Sequence, residues 1–113
     1  MIKKLNSRVI FHNKELYKTY KNLESGNFEQ KKLYKWISQA VEDLKENGFC
    51  GLAVPKNRIP KKYKKEFDAK TIWKYDLPSA YRLIYTIEND RIEIYSIILE
   101  WKSHKEYEKL FKY

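Results

Sequence analysis

The sequence predicts an α+β domain in which a strand and two helices precede a three-stranded antiparallel meander and a closing helix, in the order β-α-α-β-β-β-α. Three patterns carry this expectation. Leu33, Trp36, Ile37, Ala40, Val41 and Leu44 recur at helical spacing, residues 72–100 alternate with a period of two, and Ser103 with Glu106 makes a helix-starting pair. A length of 113 residues suits one domain spanning the whole chain, large enough to build its core without metal or disulfide staples.

Each element has a local cause. Arg8-Val-Ile-Phe11 is a short β-branched and aromatic run, and reads as a strand. Asn13 can cap a helix bearing Leu16, Tyr17, Tyr20 and Leu23 on one stripe, which Gly26 closes before Asn27 caps the next. That second helix ends at Asn47-Gly48. Trp73, Tyr75 and Leu77 then alternate with Ile72, Lys74 and Asp76, and Pro78-Ser79-Ala80 turns the chain into a strand from Tyr81 to Ile87. Asn89-Asp90 is a turn pair before a further strand from Arg91 to Glu100. The final helix places Tyr107, Leu110 and Phe111 on one stripe after the Ser103 cap.

Composition narrows the function. A mean hydropathy of -0.79 with 35% charged residues resembles a disordered tail, but 16% aromatic residues, three Gly and three Pro demand a packed core. The single Cys50 offers neither a bridge nor a metal cluster, and within Phe49-Cys50-Gly51-Leu52 it reads as a buried, inert thiol. No apolar stretch reaches signal-peptide or membrane-spanning length, so a cytoplasmic protein without a membrane partner is expected. The net charge of +9 points to nucleic acid, the ribosome or an acidic protein, or simply to a lysine-rich solvated surface. Residues 56–70, between Pro55 and the meander, hold seven Lys/Arg and two Asp/Glu, more than half of the excess. They read as a basic arm in which Lys56, Arg58, Lys61, Lys62, Lys64 and Lys65, interleaved with Tyr63 and Phe67, suit contact with RNA phosphates and bases.

Gly-rich phosphate loops, Cys/His metal spacings and Gly-x-Ser-x-Gly elbows are missing from the sequence, which leaves cationic and phenolic groups as the candidates for chemistry. Arg82 lies in a sheet strand on the face opposite Leu83, where it either bridges to Glu93 or Asp76 or clamps a phosphate with its planar guanidinium. His104 opens the last helix with Tyr107 three residues on, placing an imidazole and a phenol side by side at a helix start that favours anions. The plainer reading of the pair is an exposed His and a Tyr half-buried beside Phe111. His12 reads as a surface histidine without a visible partner.

Leu77-Pro-Ser-Ala-Tyr-Arg-Leu-Ile-Tyr85 and the ending Ile98-Leu-Glu-Trp-Lys-Ser-His-Lys-Glu-Tyr-Glu-Lys-Leu-Phe-Lys-Tyr113, in this element order, resemble the RelE/ParE superfamily of type II toxins, particularly its archaeal-type members. The likeness is densest over residues 71–113, looser over 40–59, and confined to element order over 1–35. It implies a small twisted antiparallel sheet with two N-terminal helices packed on it, and a cognate antitoxin that wraps the toxin. For the RelE branch it further implies a cofactor-independent endoribonuclease that cuts messenger RNA on the ribosome, the 2′-hydroxyl attacking the adjacent phosphate. In that comparison Arg82 matches the strand arginine on the scissile phosphate. Tyr107 and His104 match the C-terminal position of proton transfer. Lys74 matches a sheet lysine once one turn residue is taken as deleted. Asp76 stands where the best-known branch has a second lysine, a change worth a few kcal/mol of phosphoryl stabilisation unless the basic arm substitutes for it. The ParE branch implies a different outcome, non-catalytic inhibition of DNA gyrase, and a degenerate member would bind only antitoxin or RNA.

Overall fold

A computed structural model describes residues 6–89 and 93–111. Its elements are β1 (Arg8–Phe11), α1 (Lys14–Leu23), α2 (Phe28–Glu46), β2 (Leu52–Ala53), α3 (Lys61–Phe67), β3 (Trp73–Asp76), β4 (Arg82–Asn89), β5 (Ile94–Lys102) and α4 (His104–Phe111). Short 3₁₀ turns occupy Lys56–Arg58 and Pro78–Ala80. The α+β class and the β3-β4-β5 meander agree with the sequence reading. The order does not, because β2 and α3 are additional elements.

The capping signals act where the sequence puts them. Asn13 accepts from the Leu16 N–H at 2.8 Å, and Asn27 with Gln30 closes a reciprocal capping box. Ser103 and Glu106 do the same at α4, with Glu106 accepting from the Ser103 N–H at 3.0 Å. The Ser103 backbone N–H first, and then the Ser103 side chain, hold the Glu106 carboxyl below its usual range.

The five strands lie in the order β1-β5-β4-β3-β2. All neighbours are antiparallel except β1, which pairs parallel with β5 from Arg8 opposite Tyr95 to Phe11 opposite Ile98. The sheet is therefore mixed, correcting the antiparallel expectation. A parallel neighbour needs a long crossover, and the α1-α2 hairpin lies in the connection that leads away from β1.

Each face of the sheet is covered. On one side Tyr20, Leu23, Leu33, Ile37, Ala40 and Leu44 of α1 and α2 pack on Leu83, Tyr85 and Ile98. Tyr20 stacks between Phe11 and Tyr34, with 4.9 Å between ring centroids on both sides. On the other side Tyr63 of α3 and Tyr107 and Phe111 of α4 pack on Ile72, Ile84 and Leu99. Adjacent residues of a strand point to opposite faces, so Leu83 joins the first core while Arg82 and Ile84 face α4.

The basic arm is a folded element. Pro60 leads into α3, Tyr63 is fully buried, and Phe67 stacks against it at 6.0 Å. Cys50 also departs from expectation, being exposed. It lies in a turn held by Asn47, whose backbone oxygen accepts from the Cys50 N–H, and this turn carries Phe49 and Leu52 outward as well. Partial desolvation and the Asp43 carboxylate hold its thiol above the ordinary pKa. Asn89 belongs to β4, and Asp90 and Arg91 lie outside the described residues.

Candidate functional site

The site is the end of the sheet beneath α4. The β3-β4 pairing sets Asp76 opposite Arg82 and Lys74 opposite Ile84, and the β4-β5 pairing sets Lys102 opposite Arg82. These side chains share one face. Tight closure of β3 onto β4 fixes the first pair: Ser79 and Ala80 both adopt positive φ, 58° and 60°, in a turn closed by Leu77 N–H to Tyr81 O at 2.9 Å. Non-glycine residues in that region cost roughly 1–2 kcal/mol each, a strain held by the surrounding strands.

A bulge brings in Glu100. Tyr85 is opposite Ile98 but Ile84 is opposite Glu100, so Leu99 is an extra residue. The bulge lets Leu99 enter the core under α3 and α4 while Glu100 also meets α3. Glu100 accepts from the Tyr63 hydroxyl at 2.6 Å and pairs with Lys62 at 3.1 Å and Lys102 at 3.4 Å. This carboxylate ties the arm to the sheet.

Tyr107 roofs the other half. It is 2% exposed and stacks on Phe111 at 4.3 Å, and its ring lies 5.3 Å from the Arg82 guanidinium and 5.7 Å from the Lys74 ammonium. Both distances are in the range of cation–π attraction. Asp76 pairs with Arg82 at 3.0 Å and Lys74 at 3.3 Å, which selects Asp76 over Glu93 as the bridge partner. The Arg82 Nε nevertheless has no aligned acceptor, because the carboxylate sits close to it but off the N–H direction. Glu93 pairs with Arg8 at 2.9 Å.

Of the residues singled out from the sequence, Arg82, Lys74 and Tyr107 come together. His104 does not join them. It is half-exposed on α4 and pairs with Glu108 at 2.5 Å, one turn on, while Tyr107 turns toward the sheet. In the arm, Lys62 reaches the site through Glu100, whereas Lys56, Arg58, Lys61, Lys64 and Lys65 are exposed to solvent. His12 is exposed and meets the Phe67 ring edge-on at 4.7 Å. Lys102 and Glu100 were missed, and their signal was present: residues on β5 two apart, a cation and an anion, next to a helix cap. Among the described residues no three His, Cys, Asp or Glu converge as a metal group, and no helix is long and apolar enough to cross a membrane.

Three tyrosines around this framework carry a pH consequence. Burial raises the pKa of Tyr63, of Tyr75 and of Tyr85; Tyr63 and Tyr75 are raised further by the carboxylates of Glu100 and Asp43 that accept their protons. The folded state thus favours neutral phenols. Their contribution is complete below the ordinary tyrosine value of about 10 and declines as pH rises beyond it. The urea midpoint is expected to be lower above pH 10 than at pH 8, and Tyr63→Phe to flatten that fall; an unchanged midpoint up to pH 11 contradicts this.

Comparison of the chain with family models, with curated proteins and with solved structures finds no match.

Proposed function

We propose that this chain is the toxin of a type II toxin–antitoxin pair, a RelE-type endoribonuclease that cuts messenger RNA on the ribosome. The observation supporting this reading is the grouping of Arg82, Lys74 and Lys102 on one sheet face, with the Tyr107 ring over Arg82 and Lys74. Such a set suits phosphoryl transfer, which asks mainly for charge stabilisation and positioning around an in-line displacement.

In the proposed reaction the 2′-hydroxyl passes its proton to solvent water as its oxygen bonds to phosphorus, and the bond to the 5′-oxygen breaks, leaving a 2′,3′-cyclic phosphate and a 5′-hydroxyl. The RNA supplies its own nucleophile, so the chemistry asks for no cofactor. Arg82 holds the non-bridging oxygens, with Lys74 and Lys102 adding positive charge. Tyr107 gives a proton to the leaving 5′-oxygen, and His104, on the same helix, is the second candidate for proton transfer. The exposed lysines and Arg58 of the arm engage ribosomal RNA phosphates. A cognate antitoxin neutralises the activity in the cytoplasm.

Primer extension on messenger RNA from a translating extract, with and without ribosomes, tests the reading. Cuts phased with codons and dependent on ribosomes are expected. Intact RNA with gyrase-linked DNA damage replaces it with the ParE-like reading, and neither cleavage nor growth arrest leaves a degenerate binder of antitoxin or RNA.

A further inference from the structure

Asp76 is placed oddly for a structural ion pair. Its side chain is 54% exposed while its partners are withdrawn, Arg82 at 17% and Lys74 at 19%. It lies at the last position of β3, and its carboxylate meets Arg82 without an aligned hydrogen bond. Arg82 Nη1 donates to the Tyr81 carbonyl at 3.3 Å, so the guanidinium is held from behind. The second carboxylate of the site is the opposite case. Glu100 is 16% exposed and fixed by the Tyr63 hydroxyl and by two lysines.

Asp76 is held by the Lys74 ammonium at 3.3 Å and by the unaligned Arg82 contact, so it is the more readily displaced of the two carboxylates. A single oxygen, Asp76 Oδ1, meets both Arg82 Nε at 3.0 Å and Lys74 Nζ at 3.3 Å, as one non-bridging oxygen of a phosphate would. Asp76 accordingly occupies the position on Arg82 and Lys74 that an incoming phosphate requires. We propose that Asp76 is a specificity-determining residue, an internal counter-ion that competes with phosphate and so restricts the site to polynucleotides. This inference rests on the ribonuclease reading for the identity of the substrate, though not for the competition itself.

The selection follows from exchange. A lone phosphate that displaces Asp76 replaces one ion pair with another, and the displaced carboxylate remains nearby to repel it. A strand carrying several phosphates displaces the same group while its neighbouring phosphates reach Lys102, Lys62 and the exposed cations of α3. The net gain is reserved for the longer ligand, and single anions are rejected by a built-in repulsive element. The turn at Ser79 and Ala80 serves this arrangement by holding Asp76 opposite Arg82.

The test is equilibrium binding of two probes, inorganic phosphate and a 2′-O-methyl RNA oligonucleotide that cannot be cleaved, to the parent, Asp76→Asn and Asp76→Glu. Asp76→Asn removes a like charge from the phosphate's position and is expected to tighten phosphate binding roughly tenfold. The oligonucleotide displaces the same carboxylate and should gain by a similar factor from a tighter starting affinity, and Asp76→Glu should stay near the parent. Phosphate affinity in Asp76→Asn within twofold of the parent overturns the proposal, as does an oligonucleotide whose affinity does not change in that variant. Should Asn fail to give a folded chain by circular dichroism, Asp76→Ser carries the same comparison. Tightened binding of both probes in Asp76→Asn, together with a parent that never cuts RNA, sustains the counter-ion role and removes the ribonuclease reading.

Discussion

Arg82→Ala is expected to lower RNA cleavage by about 10²–10³-fold, the loss typical of a single charge-stabilising donor, and to abolish growth arrest on expression without antitoxin. Structurally the change is moderate. Arg82 pairs with a half-exposed carboxylate that keeps Lys74 as a partner, but its own side chain is 17% exposed and packs on the Tyr107 ring, so the stability cost should be about 1–3 kcal/mol. A urea titration alongside the primer-extension assay separates the two effects. If Arg82→Ala arrests growth as strongly as the parent, the residue has no part in the chemistry. Arg82→Lys is a useful companion, since it keeps the charge but loses the planar fork, and should recover only part of the rate.

Tyr107 has the largest expected effect on stability. With 2% exposure, a stack on Phe111 and cations against its ring, Tyr107→Ala opens a cavity in the core beneath α4. A loss of about 3–5 kcal/mol is expected, read as a lowered urea midpoint. That is a large share of a typical domain stability of about 5–15 kcal/mol. Tyr107→Phe keeps the ring and separates packing from proton transfer: cleavage should fall by about 10²-fold or more while the midpoint stays close to the parent's. Cutting at the parent's rate by Tyr107→Phe moves the proton-donor role to His104, for which His104→Ala is the next measurement.

Much of the framework was legible because its causes are local. Asn13, Asn27 and Ser103 start their helices through hydrogen bonds to residues three positions away, and the stripe from Leu33 to Leu44 buries Leu33, Ile37, Ala40 and Leu44. The alternation over 72–100 likewise marked the meander and set Arg82 on the face opposite Leu83. The helix α3 was hidden by its own charge. Lys61-Lys-Tyr-Lys-Lys-Glu-Phe67 reads as a solvated run, yet Tyr63 and Phe67 four residues apart, just after Pro60, are the trace of a one-sided helix. Cys50 was misjudged for the converse reason: apolar neighbours signal burial only when something packs over them, and Phe49 and Leu52 remain exposed here.

The site was half legible. Arg82, Lys74 and Tyr107 could be named from the sequence, but the departure of His104 toward Glu108 and the arrival of Lys102 and Glu100 depend on helix rotation and on the Leu99 bulge. By itself the sequence determined the helix starts, the strand periods and the location of the excess charge, since each is set by interactions within a few residues. Only the tertiary structure decided that β1 runs parallel to β5, that the arm docks through Tyr63 on Glu100, and that Asp76 holds Arg82 and Lys74. Those choices join residues far apart in the chain or across a turn, and they are made by which surfaces bury one another and which charges then need a counter-ion.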